Sequence, residues 1–139
     1  MYLRLFNGEE LKKLKEEYFK RYQKSLFENG KCHSLVKNNK RHSKWSQSYE
    51  IKLLEALCNY FEKKNKNALK NFHFIENNLN PNQYQVLEIE FYRALILEET
   101  EQLKEAYDKY VELIRIFPYP EIIKYRIDRI LHRKKSIKR

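Results

Sequence analysis

Residues 65–81 read NKNALKNFHFIENNLNP, and residues 103–118 read LKEAYDKYVELIRIFP. Ala68, Phe72 and Ile75 of the first stretch stand 38 residues before Ala106, Tyr110 and Leu113 of the second. Ala56 and Ala94 extend the echo at the same spacing, and Pro81 and Pro118 close the two blocks 37 residues apart. Within each block the small, aromatic and aliphatic residues follow steps that put them on one face of a helix. An internal repeat of this length signals one helical hairpin used twice. The chain is therefore read as all-α: stacked antiparallel helical hairpins, about six helices in all.

Periodicity extends the reading in both directions. Asn7 suits a helix N-cap, with Glu10 as the reciprocal half of a capping box. Leu11, Leu14, Tyr18, Tyr22 and Leu26 then form an apolar stripe on a helix over residues 8–28 that Gly30 ends. Residues 30–47 are polar and basic, and are read as a long connection or a degenerate partner helix with Leu35, Val36 and Trp45 as anchors. Ser48 or Tyr49 opens the next helix, with Ile51, Leu54, Leu57, Cys58 and Phe61 as its stripe. Asn65 and Thr100 are expected as caps of the two helices that carry the echo. The stretch from Gln83 to Glu98 is apolar nearly all round and predicts a central helix. Pro120 suits the first position of a last helix, whose face is Ile123, Ile127, Ile130 and Leu131. The division expected is one helical domain over 1–139. It comprises an N-terminal helix and basic connection (1–47), two hairpins (48–118), and a capping helix with a basic tail (119–139).

Composition narrows the class of protein. A chain of 139 residues with 42% hydrophobic and 14% aromatic residues has enough apolar surface for a core. Two glycines and three prolines leave few turns for an all-β fold. No apolar run reaches membrane-spanning length, and the N-terminus shows no leader pattern. Cys32 and Cys58 are the only cysteines, too few for a disulfide framework, so reduced thiols and a cytoplasmic setting are expected. The net charge of +10 is uneven: residues 31–44 hold +5 and residues 124–139 hold +7, while residues 45–123 hold −4. Basic flanks around a mildly acidic centre point to an anionic partner or to solubility.

The steps Ala68, Phe72, Ile75 and Ala106, Tyr110, Leu113, each followed by a proline, resemble the second helix of a tetratricopeptide repeat. Ala56 and Ala94 fall where that family keeps the small residue of its first helix. The resemblance covers residues 49–118 and departs at Lys52, Glu55 and Asn59, where the family's first helix is apolar. It implies a non-catalytic adaptor or scaffold whose first helices line a concave face. The partner-binding residues that follow from it are Glu50, Tyr60, Glu88, Tyr92 and Glu99, with Leu53, Leu57 and Phe91 more deeply set. The expected partner is a protein, an acidic one or a second copy of the chain.

The alternative is a DNA- or RNA-binding protein. Lys40, Arg41 and Lys44 cluster beside Trp45, whose ring can stack on a base. Arg126, Arg129 and Arg133 form one ridge on the last helix, extended by Lys134 and Lys135 toward the C-terminus. Glu98, Glu99 and Glu101 read as an acidic cluster complementing a helix start. No metal-ligand spacing, phosphate loop or nucleophile motif occurs, so no cofactor, metal or catalytic residue is assigned.

Overall fold

A computed structural model describes the backbone of residues 7–137 and the side chains of residues 7–133. Every regular element among them is helical: α1 (Gly8–Glu28), α2 (Cys32–Arg41), α3 (Tyr49–Phe61), α4 (Asn65–Asn78), α5 (Gln83–Glu99), α6 (Leu103–Ile114) and α7 (Pro120–Ile137). A short 3-10 turn, Ser43–Trp45, follows α2. The all-α expectation stands, with one further helix, because the 30–47 stretch forms α2. No helix among the described residues is long and apolar enough to cross a membrane.

The backbone repeats more faithfully than the side chains do. Asn7, Ser48 and Asn82 open α1, α3 and α5, and each accepts a hydrogen bond from the backbone N–H three residues on. At Asn82 the box is reciprocal, because Gln85 Oε1 accepts from the Asn82 N–H at 2.9 Å. The same three helices end alike. Gly30, Lys63 and Glu101 adopt left-handed backbone with φ of 70°, 63° and 64°. The next N–H groups, of Lys31, Lys64 and Gln102, then donate back to the carbonyls of Leu26, Asn59 and Leu97 at 2.8, 2.8 and 2.9 Å. This closure satisfies carbonyls that a helix end otherwise leaves unpaired and turns the chain directly into the next helix. Three helix–turn–helix pairs result: α1–α2, α3–α4 and α5–α6.

Two expected caps fall elsewhere. Asn65 lies inside α4, whose N-cap is Lys64, and its buried Oδ1 has no partner. Thr100 closes α5 instead of opening α6: its hydroxyl donates to the Ile96 carbonyl at 2.8 Å. Thus α4 starts one residue before the expected position, with Lys64 as its cap, while the left-handed Glu101 delays the start of α6 to Leu103.

The chain forms two compact units, residues 1–80 and 81–139. In the first, α1 packs on α2 and α3, and α3 packs on both α2 and α4. Leu26, Leu35 and Cys58 form a buried cluster, with Phe27, Val36 and Leu54 packed against it. Cys32 and Cys58 are joined by a disulfide that ties α2 to α3. The expected free thiols are thereby corrected, and with them the basis for a cytoplasmic assignment. Ala56, Ala68, Phe72 and Ile75 of the echo are fully buried. In the second unit α5 packs on α6 and α6 on α7. Here Ala94, Ala106, Tyr110, Ile123 and Ile130 are fully buried. The echo residues are thus the inward positions of their helices, where a small residue lets two backbones approach and a ring fills the space beside it.

Candidate functional site

Of the α1 stripe only Leu26 belongs to the buried face. The buried face of α1 is Phe19, Gln23 and Leu26. Leu11, Leu14, Tyr18 and Tyr22 lie beside that face and are 44%, 48%, 75% and 49% exposed. Side and length together explain this: Phe19 and Gln23 turn toward Leu35, Asn39 and His42, which leaves Tyr18 and Tyr22 at the edge of the contact, and α2 is too short to reach Leu11. The 21 residues of α1 span about 31 Å, whereas the 10 of α2 span about 15 Å. The shorter helix cannot cover the full length of the longer one.

The uncovered row borders a groove of about 500 Å³ lined by Leu14, Lys15, Tyr18, Phe19, Tyr22, Asn38, His42 and Trp45. Its floor is a compact ring cluster. His42 and Trp45 stack with centroids 5.0 Å apart, and Phe19 meets them at 5.7 and 5.6 Å. Ser46, fully buried, holds the turn behind them: its hydroxyl donates to the carbonyls of Asn39 and Ser43 at 3.2 and 3.0 Å.

Beneath the groove runs a chain of side-chain amides. Gln23 Nε2 donates to the Leu35 carbonyl at 2.9 Å and to Asn39 Oδ1 at 2.7 Å, and Asn38 donates to Gln23 Oε1 at 3.1 Å. Asn39 and Asn71 both donate to the Glu55 carboxylate, at 2.8 and 2.6 Å, and Asn59 donates to Asn71 at 2.7 Å. The network crosses α1, α2, α3 and α4. Glu55 and Asn59, which depart from the family's apolar pattern, are members of it. Satisfied polar networks of this kind fix one packing of helices, since each buried donor left unpaired is costly.

The predicted partner-binding residues do not form one set. Glu50 is exposed on the first turn of α3, while Tyr60 is buried near its end, 8% exposed and edge-on to Phe61. A surface contact through Tyr60 is corrected on that ground. Glu88 and Tyr92 share a face of α5, where burial and then the Glu88 charge raise the Tyr92 hydroxyl pKa. Glu99 is exposed at the end of that helix.

The basic residues divide more sharply. Arg126 reaches Glu98 at 3.4 Å, and Glu98, 4% exposed, also accepts from the Tyr110 hydroxyl at 2.9 Å. Arg133 pairs with Glu101 at 2.6 Å. Arg129 lies over the Tyr125 ring, 5.9 Å from its centre. Two arginines of the expected ridge are therefore neutralised by Glu98 and Glu101, which are corrected from a helix-start cluster to the anchors of α7. Lys134 and Lys135 lie outside the described side chains. Lys40, Arg41 and Lys44 are exposed beside the half-buried Trp45, as expected.

Phe19, Gln23, Asn39 and His42 were not singled out by sequence. The available signal was Gln23, four residues after Phe19 and three before Leu26, facing the amide pair Asn38 and Asn39. Among the described residues no group of His, Cys, Asp or Glu side chains is arranged to hold a metal ion. No family model, curated protein or solved structure matches the chain.

Proposed function

We propose that this chain is a non-catalytic protein-interaction module, an adaptor of tetratricopeptide-like helical-repeat type. Three helix–turn–helix pairs closed by one turn geometry support the repeat reading. The observation that carries the binding reading is the row Leu11, Leu14, Tyr18 and Tyr22, left exposed along α1 above a groove with a ring floor. Four large apolar side chains in one continuous row form the kind of surface that partner proteins cover. Tyrosine adds an apolar body with a polar tip and loses little entropy when fixed, which suits a contact surface.

Affinity capture from native extract, with and without nuclease, tests this. Proteins retained by the wild-type chain in both arms, and lost with Tyr18→Asp, are the expected result. Retention that disappears with nuclease supports instead the nucleic-acid reading, which the exposed Lys40, Arg41 and Lys44 beside Trp45 favour.

A further inference from the structure

One wall of the groove on α1 carries charge of a single sign. Residues 29–49, which supply its second wall, include Lys31, Lys37, Lys40, Arg41 and Lys44 and no acid. On α1 Lys15 edges the groove itself, while the far flank of the row is mixed, carrying Arg21 together with Glu10 and Glu17. Among the described residues Lys15, Arg21, Lys37, Lys40, Arg41 and Lys44 enter no ion pair. Arg126 and Arg133 in the second unit, by contrast, are matched by carboxylates. Lys15, Arg41 and Lys44 thus bring unmatched positive charge to the edge of the apolar trough.

The trough also has a shape. Leu11 to Tyr22 covers three turns of α1, about 16 Å along its axis, and follows the rows into which a second helix packs. His42 and Trp45 stack on one face of each ring and Phe19 meets them edge-on and tilted, so the three rings form a joined floor. Leu11 and Leu14 are aliphatic and offer a nucleobase no ring, so stacking would fall to Tyr18 and Tyr22 alone, an outcome that an oligonucleotide titration reads. The same face of a second copy, in a two-fold pair, meets the like charge of residues 31–44.

We infer that the groove takes an acidic amphipathic helix from a partner protein, laid along α1 between the Leu11–Tyr22 row and the His42–Trp45 wall. The inference rests on the adaptor reading and names its ligand. Apolar side chains at helical spacing enter between Leu14, Tyr18 and Tyr22, while carboxylates on the α2 side meet Lys15, Arg41 and Lys44. The apolar contacts supply affinity, and the charges supply orientation and encounter rate.

The test is a display library of helical peptides, roughly 16 residues and so about 24 Å long, selected against the full chain. A labelled single-stranded oligonucleotide is titrated in parallel, with Trp45, the single tryptophan, as reporter. The expected result is enrichment of net-negative peptides with apolar residues at helical spacing, and a Trp45 emission change on binding. Tyr18→Asp and the pair Arg41→Glu with Lys44→Glu should each weaken binding about tenfold or more. All three positions are exposed, and an unchanged helical circular dichroism spectrum checks that the variants fold. Enrichment of neutral or basic peptides that still need Tyr18 overturns the acidic ligand and leaves the adaptor reading in place. Binding of the oligonucleotide alone overturns both, as does enrichment of no peptide. Concentration-dependent dimerisation abolished by Tyr18→Asp overturns the inference in favour of a second copy.

Discussion

The pair α1–α2 and the pairs α3–α4 and α5–α6 turn in the same way but are filled differently. Five residues after each left-handed residue comes Leu35, Ala68 or Ala106, all fully buried. Nine residues after it comes Asn39, Phe72 or Tyr110, again buried. The same site in the turn geometry is thus a ring twice and an amide once. Phe72 and Tyr110 fill space, whereas Asn39 joins α1 to α3 by bonding Gln23 and Glu55. The backbone repeat is conserved across the chain while its apolar signature is not. A pair joined through amides is specified by hydrogen-bond geometry more than by volume.

The largest expected effects separate these two ways of filling one site. Phe72→Ala should cost about 3–5 kcal/mol, because a fully buried ring is lost and a cavity remains. Tyr110→Ala should cost as much and also leave Glu98 without the hydroxyl it accepts from. Asn39→Ala should cost less, about 1–3 kcal/mol, since it removes little volume but strands donors and acceptors on Gln23 and Glu55. Chemical denaturation followed by circular dichroism measures all three. Equal losses at Asn39 and Phe72 would end the distinction.

A smaller effect tests the shared turn. Lys63 and Glu101 hold the left-handed conformation that Gly30 adopts without a side chain. Lys63→Gly should therefore stabilise the protein by about 1 kcal/mol. Glu101→Gly should gain less, because it also removes the partner of Arg133. Melting temperatures of the two variants check the order.

The smallest expected effect concerns acid. Burial pushes the Glu90 carboxyl up, but hydrogen bonds and charge from Lys109, at 3.0 Å, and Arg93, at 2.9 Å, outweigh it and hold its pKa below 4.5. A depressed carboxyl stabilises the fold above its unfolded pKa and loses that contribution as pH falls through the folded value. The amides of Gln23, Asn39, Asn59 and Asn71 do not titrate. Hydrogen exchange resolved by segment should therefore show the α5–α6 pair losing protection on acidification, with Glu90→Gln reducing that acid dependence. Because Glu90 is partly exposed, the change should be a few tenths of a kcal/mol.

Much of the helical order was legible in sequence, because α4 and α6 bury regularly spaced apolar residues and prolines mark their ends. α2 was harder to read. Its inward positions are Leu35 and Asn39, and only one of them carries an apolar signal. The stripe on α1 was legible as a stripe but not as an exposed one. Periodicity shows that a face is apolar, and the side on which the neighbouring helix packs, together with its length, decides whether it is covered. The ridge on α7 was misread for a related reason. Arg126 and Arg133 find their carboxylates 28 and 32 residues earlier in the chain. No local spacing reveals a pairing of that separation. The groove combines both difficulties, since Phe19 on α1 and His42 and Trp45 after α2 become neighbours only when the helices pack.

Trp45 gives the most direct test of the claim that this groove is where the chain meets its partner. It is the single tryptophan, it forms part of the groove floor, and its ring is half-buried. When a partner protein recovered by capture is titrated against the full chain, Trp45 emission should shift in step with binding. Tyr18→Asp should abolish both the shift and the binding while leaving the helical spectrum intact. A partner that saturates the wild-type chain without moving Trp45 emission, and binds Tyr18→Asp equally well, would contradict the account.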